Sequence, residues 1–424
     1  MQGILGLIVI FVFLYLFSAN RKQINWKLIA GGMFSQIIFA LLILKVSFVQ
    51  SGFDTVSSFF VAVLGFTRTG SEFLFGNLVN VEKTGFVFAF QILPTIIFFS
   101  ALTSLFFYLG ILQKIVYFLS WLMSKTMKIS GPENLSTSAN IFLGQTEAPL
   151  MIKPYLEKMT RSEIFCVMVG GMANTAGGVL AAYVGFLGGS DPAQQLYFAK
   201  HLLAASVMSA PATIVISKMM IPQTEKVDEY IEIPREKMGA NMLEAIANGT
   251  SDGIKLAINV GAMLIVFIAL IAMVNAILGS LIGEWFGLNA IINNSSGGQY
   301  TTLSLQYLLG HICAPIVWLL GVDKIDMVAI GQLLGEKTIL NEFVAYTSLA
   351  KMQAAGTIQN PKSILLATYI LSGFANFASI GIQIGGIGAM APGKRSQLAE
   401  LGIKALIGGT LATLMMAAIV GILS

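Results

Sequence analysis

Two glutamates stand inside apolar, glycine-punctuated stretches: Glu147 in IFLGQTEAPLMI and Glu342 in GEKTILNEFVAY. Each is followed by an apolar segment that breaks around an Ala-Asn pair, GMANTAGGV at 171–179 and GFANFASIG at 373–381. A carboxylate at membrane depth costs about 2.5–3.5 kcal/mol on insertion scales. Such a group persists only where protein, water or a ligand meets the charge. Gln145, Thr146 and Glu147 form one donor–acceptor set, suited to a polar heterocycle or to hydroxyls. Asn341, Glu342 and Phe343 form the matching set, in which the carboxylate can accept from paired hydroxyls such as a sugar diol. Occurring twice, the device predicts one polar site built by two halves of the chain.

Each feature has a plainer alternative. Glu147 could be solvated in a cytoplasmic loop, although IFLG and APLMI flank it on both sides. Glu342 could form an ion pair with Lys337, or carry a proton in a coupled cycle. Asn174-Thr175 with Gly177-Gly178, and Asn376 with Ser379, allow a span to unwind and free its carbonyls for a cation or substrate. The same small residues also serve close helix packing. His201 and His311 have no carboxylate or cysteine at metal-binding spacing and read as structural. Cys166 and Cys313 lie in apolar surroundings and read as small packed residues. There is no Walker A loop, so ATP-driven work by this chain is disfavoured. Two carboxylates without a nucleophile, cofactor motif or metal set argue against an intramembrane enzyme. A channel would not need paired hairpins and unwound helices.

The elements that position these residues belong to a membrane protein. Of 424 residues, 56% are hydrophobic and 11% charged, where soluble proteins carry about 25% charged residues. The formal charge of +4 is no nucleic-acid signature. The apolar runs predict spans over 3–20, 28–49, 85–109, 162–188, 195–221, 256–283, 363–389 and 400–423. The first run has no basic stretch before it and reads as a span, not a signal peptide. Basic residues gather at Arg21, Lys22 and Lys27; at Lys114, Lys125 and Lys128; at Lys153, Lys158 and Arg161; at Lys226, Arg235 and Lys237; and at Lys394 and Arg395. The positive-inside rule places these loops in the cytoplasm and both termini on the periplasmic side. Residues 51–82 mix Asp54, Arg68, Glu72 and Glu82 with Phe and Val, as expected of a helix lying in the interface. Residues 130–157 and 308–350 are apolar but interrupted, and predict re-entrant helical hairpins. The hairpins leave from opposite faces and each precedes two spans, which makes an inverted repeat with its site near the midplane.

The fold class expected is therefore all-α integral membrane, with about eight transmembrane helices, two re-entrant hairpins and an interfacial helix. Residues 1–110 would form a scaffold, 111–221 the first repeat, 222–300 a cytoplasmic loop and scaffold span, and 301–424 the second repeat.

Four motifs taken together, Gly144-Gln145-Thr146-Glu147-Ala148-Pro149, Gly171-Met172-Ala173-Asn174, Asn341-Glu342-Phe343-Val344-Ala345 and Gly373-Phe374-Ala375-Asn376-Phe377, resemble the concentrative nucleoside transporters. The resemblance covers essentially the whole chain and suits the bacterial members. It implies a sodium/nucleoside symporter of the inner membrane, a homotrimer in lipid, and an elevator-type transport domain sliding against the scaffold. Gln145, Thr146 and Glu147 would meet the nucleobase, and Val179 would line the base pocket. Glu342, Asn376 and Ser379 would bind the ribose, and Phe374 would help close the site. Sodium would sit near Asn140, Leu143, Asn174 and Thr175. Position 174 is Asn where a serine hydroxyl is expected of sodium-coupled relatives, so the proton stands as the alternative coupling ion.

Overall fold

Backbone groups in lipid must find partners inside their own segment or in a closed barrel. In the computed structural model the chain takes the first course: residues 2–85, 87–189, 191–227 and 239–424 are described, and among them there is no strand. Arg235 and Lys237, expected in a basic cytoplasmic loop, lie outside the described residues.

Single turns aside, the helices run α1 Gln2–Leu16, α2 Trp26–Lys45, α3 Ser47–Phe75, α4 Leu93–Tyr108, α5 Ile111–Thr126, α6 Gly131–Ala139, α7 Arg161–Ala173, α8 Gly177–Gly188 and α9 Pro192–Met220. They continue as α10 Met242–Ala276, α11 Leu288–Ser295, α12 Leu305–Leu319, α13 Met327–Ile339, α14 Glu342–Ala354, α15 Pro361–Leu371, α16 Phe377–Met390 and α17 Arg395–Leu423. Among the described residues, seven helical stretches are long and apolar enough to cross a membrane. They include the expected spans over α2, α4, α7–α8, α9, α10 and α17. The seventh is the expected interfacial segment, Ser47–Val79, which carries the exposed Arg68–Glu72 pair and is ion-paired through Asp54 to Lys200 of α9. α1 has 15 residues and rises only about 22 Å, shorter than the span expected over 3–20.

Short polar side chains start the helices that matter. Ser130 and Thr160 open α6 and α7 with capping boxes completed by Glu133 and Glu163. Asn241, Asn341 and Asn376 cap α10, α14 and α16, each accepting from the backbone N–H three residues on. The first hairpin occupies the expected range: α6 descends, residues 140–147 turn, and a 3-10 segment Ala148–Ile152 leads out. Its base is fixed by a buried pair, Lys218 donating to Glu133 and to Ser162 Oγ at 2.9 Å.

The second hairpin departs from expectation. It is α13 and α14, residues 327–354, and does not begin at 308. Residues 308–319 belong to α12, which continues through Pro315 and ends at Leu319, before Gly321. An apolar run holding Gly310 and Pro315 looks interrupted in sequence, but its stop is set by Gly321 at φ 104°. The repeat survives the shift, since α5 precedes the first hairpin as α12 precedes the second.

The helices of residues 1–110 pack on different partners. α1 packs on α17 and α2 on α9, both in the body that holds the hairpins, whereas α4 packs along α10. Both broken spans appear as foreseen, interrupted between Ala173 and Gly177 and between Leu371 and Phe377.

Candidate functional site

The two interruptions cross. Gly373 N–H donates to Thr175 Oγ1 at 2.9 Å, and Phe374 N–H donates to the Asn174 carbonyl at 3.2 Å. Lys337, fully buried on α13, donates to the carbonyls of Ile370 at 2.8 Å and Ser372 at 3.2 Å and to Thr413 Oγ1 at 3.2 Å. These are the carbonyls that the end of α15 leaves without helical partners. Lys337 therefore braces the second break, and makes no direct ion pair with Glu342 among the described residues.

Against this crossing lie the two hairpin tips, and between them is a cavity of about 290 Å³. All eight residues singled out for substrate line it: Gln145, Thr146, Glu147, Val179, Glu342, Phe374, Asn376 and Ser379. Asn376 Nδ2 donates to Glu342 Oε2 at 2.7 Å, while Asn376 Oδ1 accepts from Ser379 N–H at 2.9 Å. One amide thus caps α16 and aims the carboxylate of the opposite hairpin. Gln145 Nε2 donates to Ser379 Oγ at 3.1 Å and joins the first tip to the second break. Glu147 Oε2 accepts from Gly144 N–H at 2.9 Å, so the carboxylate folds back over its own turn. No Lys or Arg lines the cavity. A phosphorylated ligand would find no cation there.

The four residues assigned to the ion meet beside this cavity. Asn174 Nδ2 donates to the Asn140 carbonyl, Asn174 Oδ1 accepts from Thr175 N–H at 2.8 Å, and Gly177 N–H donates to the carbonyl of Phe142, next to Leu143. The Asn140 amide is 2% exposed, and neither its oxygen nor its nitrogen has a hydrogen-bond partner among the described residues. A buried amide oxygen beside unwound backbone suits a sodium ion. Asn174, by contrast, spends both ends of its amide on backbone.

Sequence reasoning missed the far wall of the cavity. Leu256, Asn259, Val260 and Met263 of α10 complete it, at the spacing of one helix face. In a run that is apolar all round, only Asn259 marks that face. Tyr183 was missed as well: it is fully buried beneath the site, stacked on Tyr346 at 4.1 Å and edge-on to Phe343 at 5.2 Å. Its position on α8, one helical turn beyond Val179, is the signal that could have found it.

Two hairpins and two broken spans around a shared cavity, in a chain of apolar helices, are the arrangement of secondary carriers. Comparison with known proteins makes the class specific. Family models described as "Na+ dependent nucleoside transporter C-terminus", "Na+ dependent nucleoside transporter N-terminus" and "Nucleoside recognition" match residues 201–421, 5–78 and 89–190. A transporter of Haemophilus influenzae is 42% identical over 100% of this chain and 97% of its own length. Sodium/nucleoside cotransporter 1 of Mus musculus is 36% identical over 99% of this chain, which spans only 63% of that longer protein. The structure of CNTnw in an inward-facing substrate-bound state superimposes with a TM-score of 0.89 at 37% identity, covering 99% of this chain and 96% of that one. The chain belongs to the Na+ dependent, or concentrative, nucleoside transporter family. It is a multi-pass membrane transporter and not an enzyme, and sodium is the family's coupling ion.

Proposed function

We propose that this chain imports nucleosides, uridine among them, across the bacterial inner membrane by sodium symport. The observation that carries the reading is the cavity at the crossed breaks, in which Asn376 presents the Glu342 carboxylate. Glu342, Asn376 and Ser379 hold the ribose hydroxyls. Gln145 and Thr146 bond the base edge with Glu147 beside them, Val179 lines the base and Phe374 closes over the sugar. Gln145 Oε1 is buried without a partner among the described residues, an acceptor open to water or ligand.

Sodium binds between the first tip and the first break, held by Asn140 with carbonyls of Leu143 and Thr175. It fixes the tip that carries Gln145, so ion and substrate strengthen each other's binding equally. Alternating access is of the elevator type. The hairpins and broken spans move as a body past α4 and α10, within a homotrimer whose termini face the periplasm. Proton coupling is the second reading, favoured by one observation: both ends of the Asn174 amide are engaged by backbone.

The test is uptake of radiolabelled uridine into proteoliposomes under an imposed sodium gradient or an imposed proton gradient. Accumulation with sodium alone supports the first reading, accumulation with protons alone the second, and equilibration without accumulation would make the chain a pore. Asn140→Ala is expected to raise the sodium concentration for half-maximal uptake about tenfold, with a matching fall in uridine affinity at fixed sodium. An unchanged sodium dependence would remove Asn140 from the ion site.

A further inference from the structure

The cavity wall supplied by α10 carries one polar side chain, and that residue has no assigned task. Asn259 lies 17 residues from Met242 and 17 from Ala276, at the middle of the helix. Between Lys255 and Asn275 it is the only side chain with a hydrogen-bonding amide or hydroxyl. Asn275 is fully employed: it donates to Gln306 Oε1 at 2.9 Å and accepts from Leu305 N–H at 2.8 Å. Asn259 makes no hydrogen bond within the chain among the described residues. Asn259 is exposed and lines the cavity, where water or a ligand can meet its amide.

We propose that Asn259 is a specificity-determining contact for the nucleobase, brought to the substrate by α10. This rests on the nucleoside reading above. The ribose half of the cavity already has Glu342, Asn376 and Ser379. Leu256, one turn before Asn259, also lines a small neighbouring cavity together with Glu147, Ala176 and Val179, which places this stretch of α10 beside the base half. A carboxamide offers one acceptor and two donors, and so pairs with the amide-like edge of a pyrimidine, N–H beside C=O. By turning over, the same carboxamide meets the reversed pattern of an amino-pyrimidine. Residues on the hairpins move with the substrate, whereas Asn259 belongs to the wall that they move past. Its bond therefore reads the base during only part of the cycle.

The experiment measures uptake of uridine, 3-methyluridine and 2′-deoxyuridine by wild-type protein, Asn259→Leu and Asn259→Ala in proteoliposomes under an inward sodium gradient. Methylation at N3 blocks the base-edge donor, and the deoxy sugar probes the ribose side. Wild type is expected to prefer uridine to 3-methyluridine by at least tenfold. Asn259→Leu is expected to raise the uridine KM about tenfold and erase most of that preference, because a site built to bond a polar edge rejects analogues that lack it. The penalty for 2′-deoxyuridine should stay as in wild type. Asn259→Ala, which adds no bulk, should show the same selectivity loss and keeps the test open if the leucine variant fails to fold. An unchanged uridine KM with unchanged base preference in either folded variant would overturn the inference and leave the transport reading standing. Absence of any nucleoside uptake by wild type would instead sink the reading on which it rests.

Discussion

Changing Glu342 to glutamine is expected to lower kcat/KM for nucleoside uptake by about ten- to a hundredfold, the worth of one charge-assisted hydrogen bond, 1.5–3 kcal/mol. The reasoning follows the fixed orientation of Asn376. Its Oδ1 is held by Ser379 N–H, so its Nδ2 must face an acceptor. Glutamine can satisfy that demand only by turning its carbonyl to Asn376, which leaves an NH₂ where a carboxylate oxygen faced the sugar. The acceptor for the diol is then replaced by a donor and the charge is lost. Asn376→Ala should cost as much or more, since it removes a proposed ribose contact, uncaps α16 and takes the amide partner from Glu342 at 3% exposure. Uptake kinetics with uridine and with 2′-deoxyuridine check both. Wild-type-like uptake in either variant would contradict the ribose assignment.

The second large effect is on the fold. Gly373→Ala is expected to lower stability by about 3 kcal/mol or more and to abolish uptake. Gly373 has φ 96°, a conformation that L residues rarely adopt, and a Cβ there would lie 2.6 Å from the Ala173 carbonyl carbon and 2.7 Å from the Met172 oxygen. Those neighbours are backbone at the other break, so no side chain can turn aside. The substitution pries apart the contact through which Gly373 and Phe374 bond Thr175 and Asn174. Thermal unfolding in detergent should show the loss directly. A Tm within a degree or two of wild type would mean that the two breaks do not depend on this crossing.

The spans, the first hairpin and both breaks were legible because each leaves a composition mark: apolar length, a Gly-to-Pro turn, an Asn between small residues. The residues lining the cavity were legible for the same reason, since Gln145, Thr146, Glu147 and Glu342 are polar where lipid-facing side chains cannot be. What lay hidden is what composition does not mark. The start of the second hairpin depends on Gly321 at φ 104°, and α12 before it is as apolar as a hairpin limb. Lys337 is a natural ion-pair partner for Glu342 by spacing, but folding carries its ammonium to the carbonyls at the end of α15, which the sequence shows only as Tyr-Ile-Leu-Ser. Asn174 and Asn376 look alike in their Ala-Asn pairs. They differ in place: Asn376 begins α16 and caps it, whereas Asn174 ends α7 and ties the break to the first tip. The α10 wall escaped notice because a face of Leu, Val and Met is the same whether it meets lipid, a helix or a ligand.

These differences bear on function. A break tied to the first hairpin tip by Asn174 makes the proposed ion site and the proposed base site parts of one unit, so an ion at Asn140 would be felt at Gln145 without a long path. The Gln145–Ser379 bond then links that unit to the ribose half.

The most direct test of the central claim, that the cavity at the crossed breaks is the nucleoside site, is equilibrium binding of radiolabelled uridine to purified protein and to Asn376→Ala, with and without sodium. The account predicts saturable binding to wild type that tightens with sodium and a loss of about a hundredfold or more in a variant that still elutes and melts as a folded protein. Uridine binding of wild-type strength in folded Asn376→Ala would place the substrate elsewhere and contradict it.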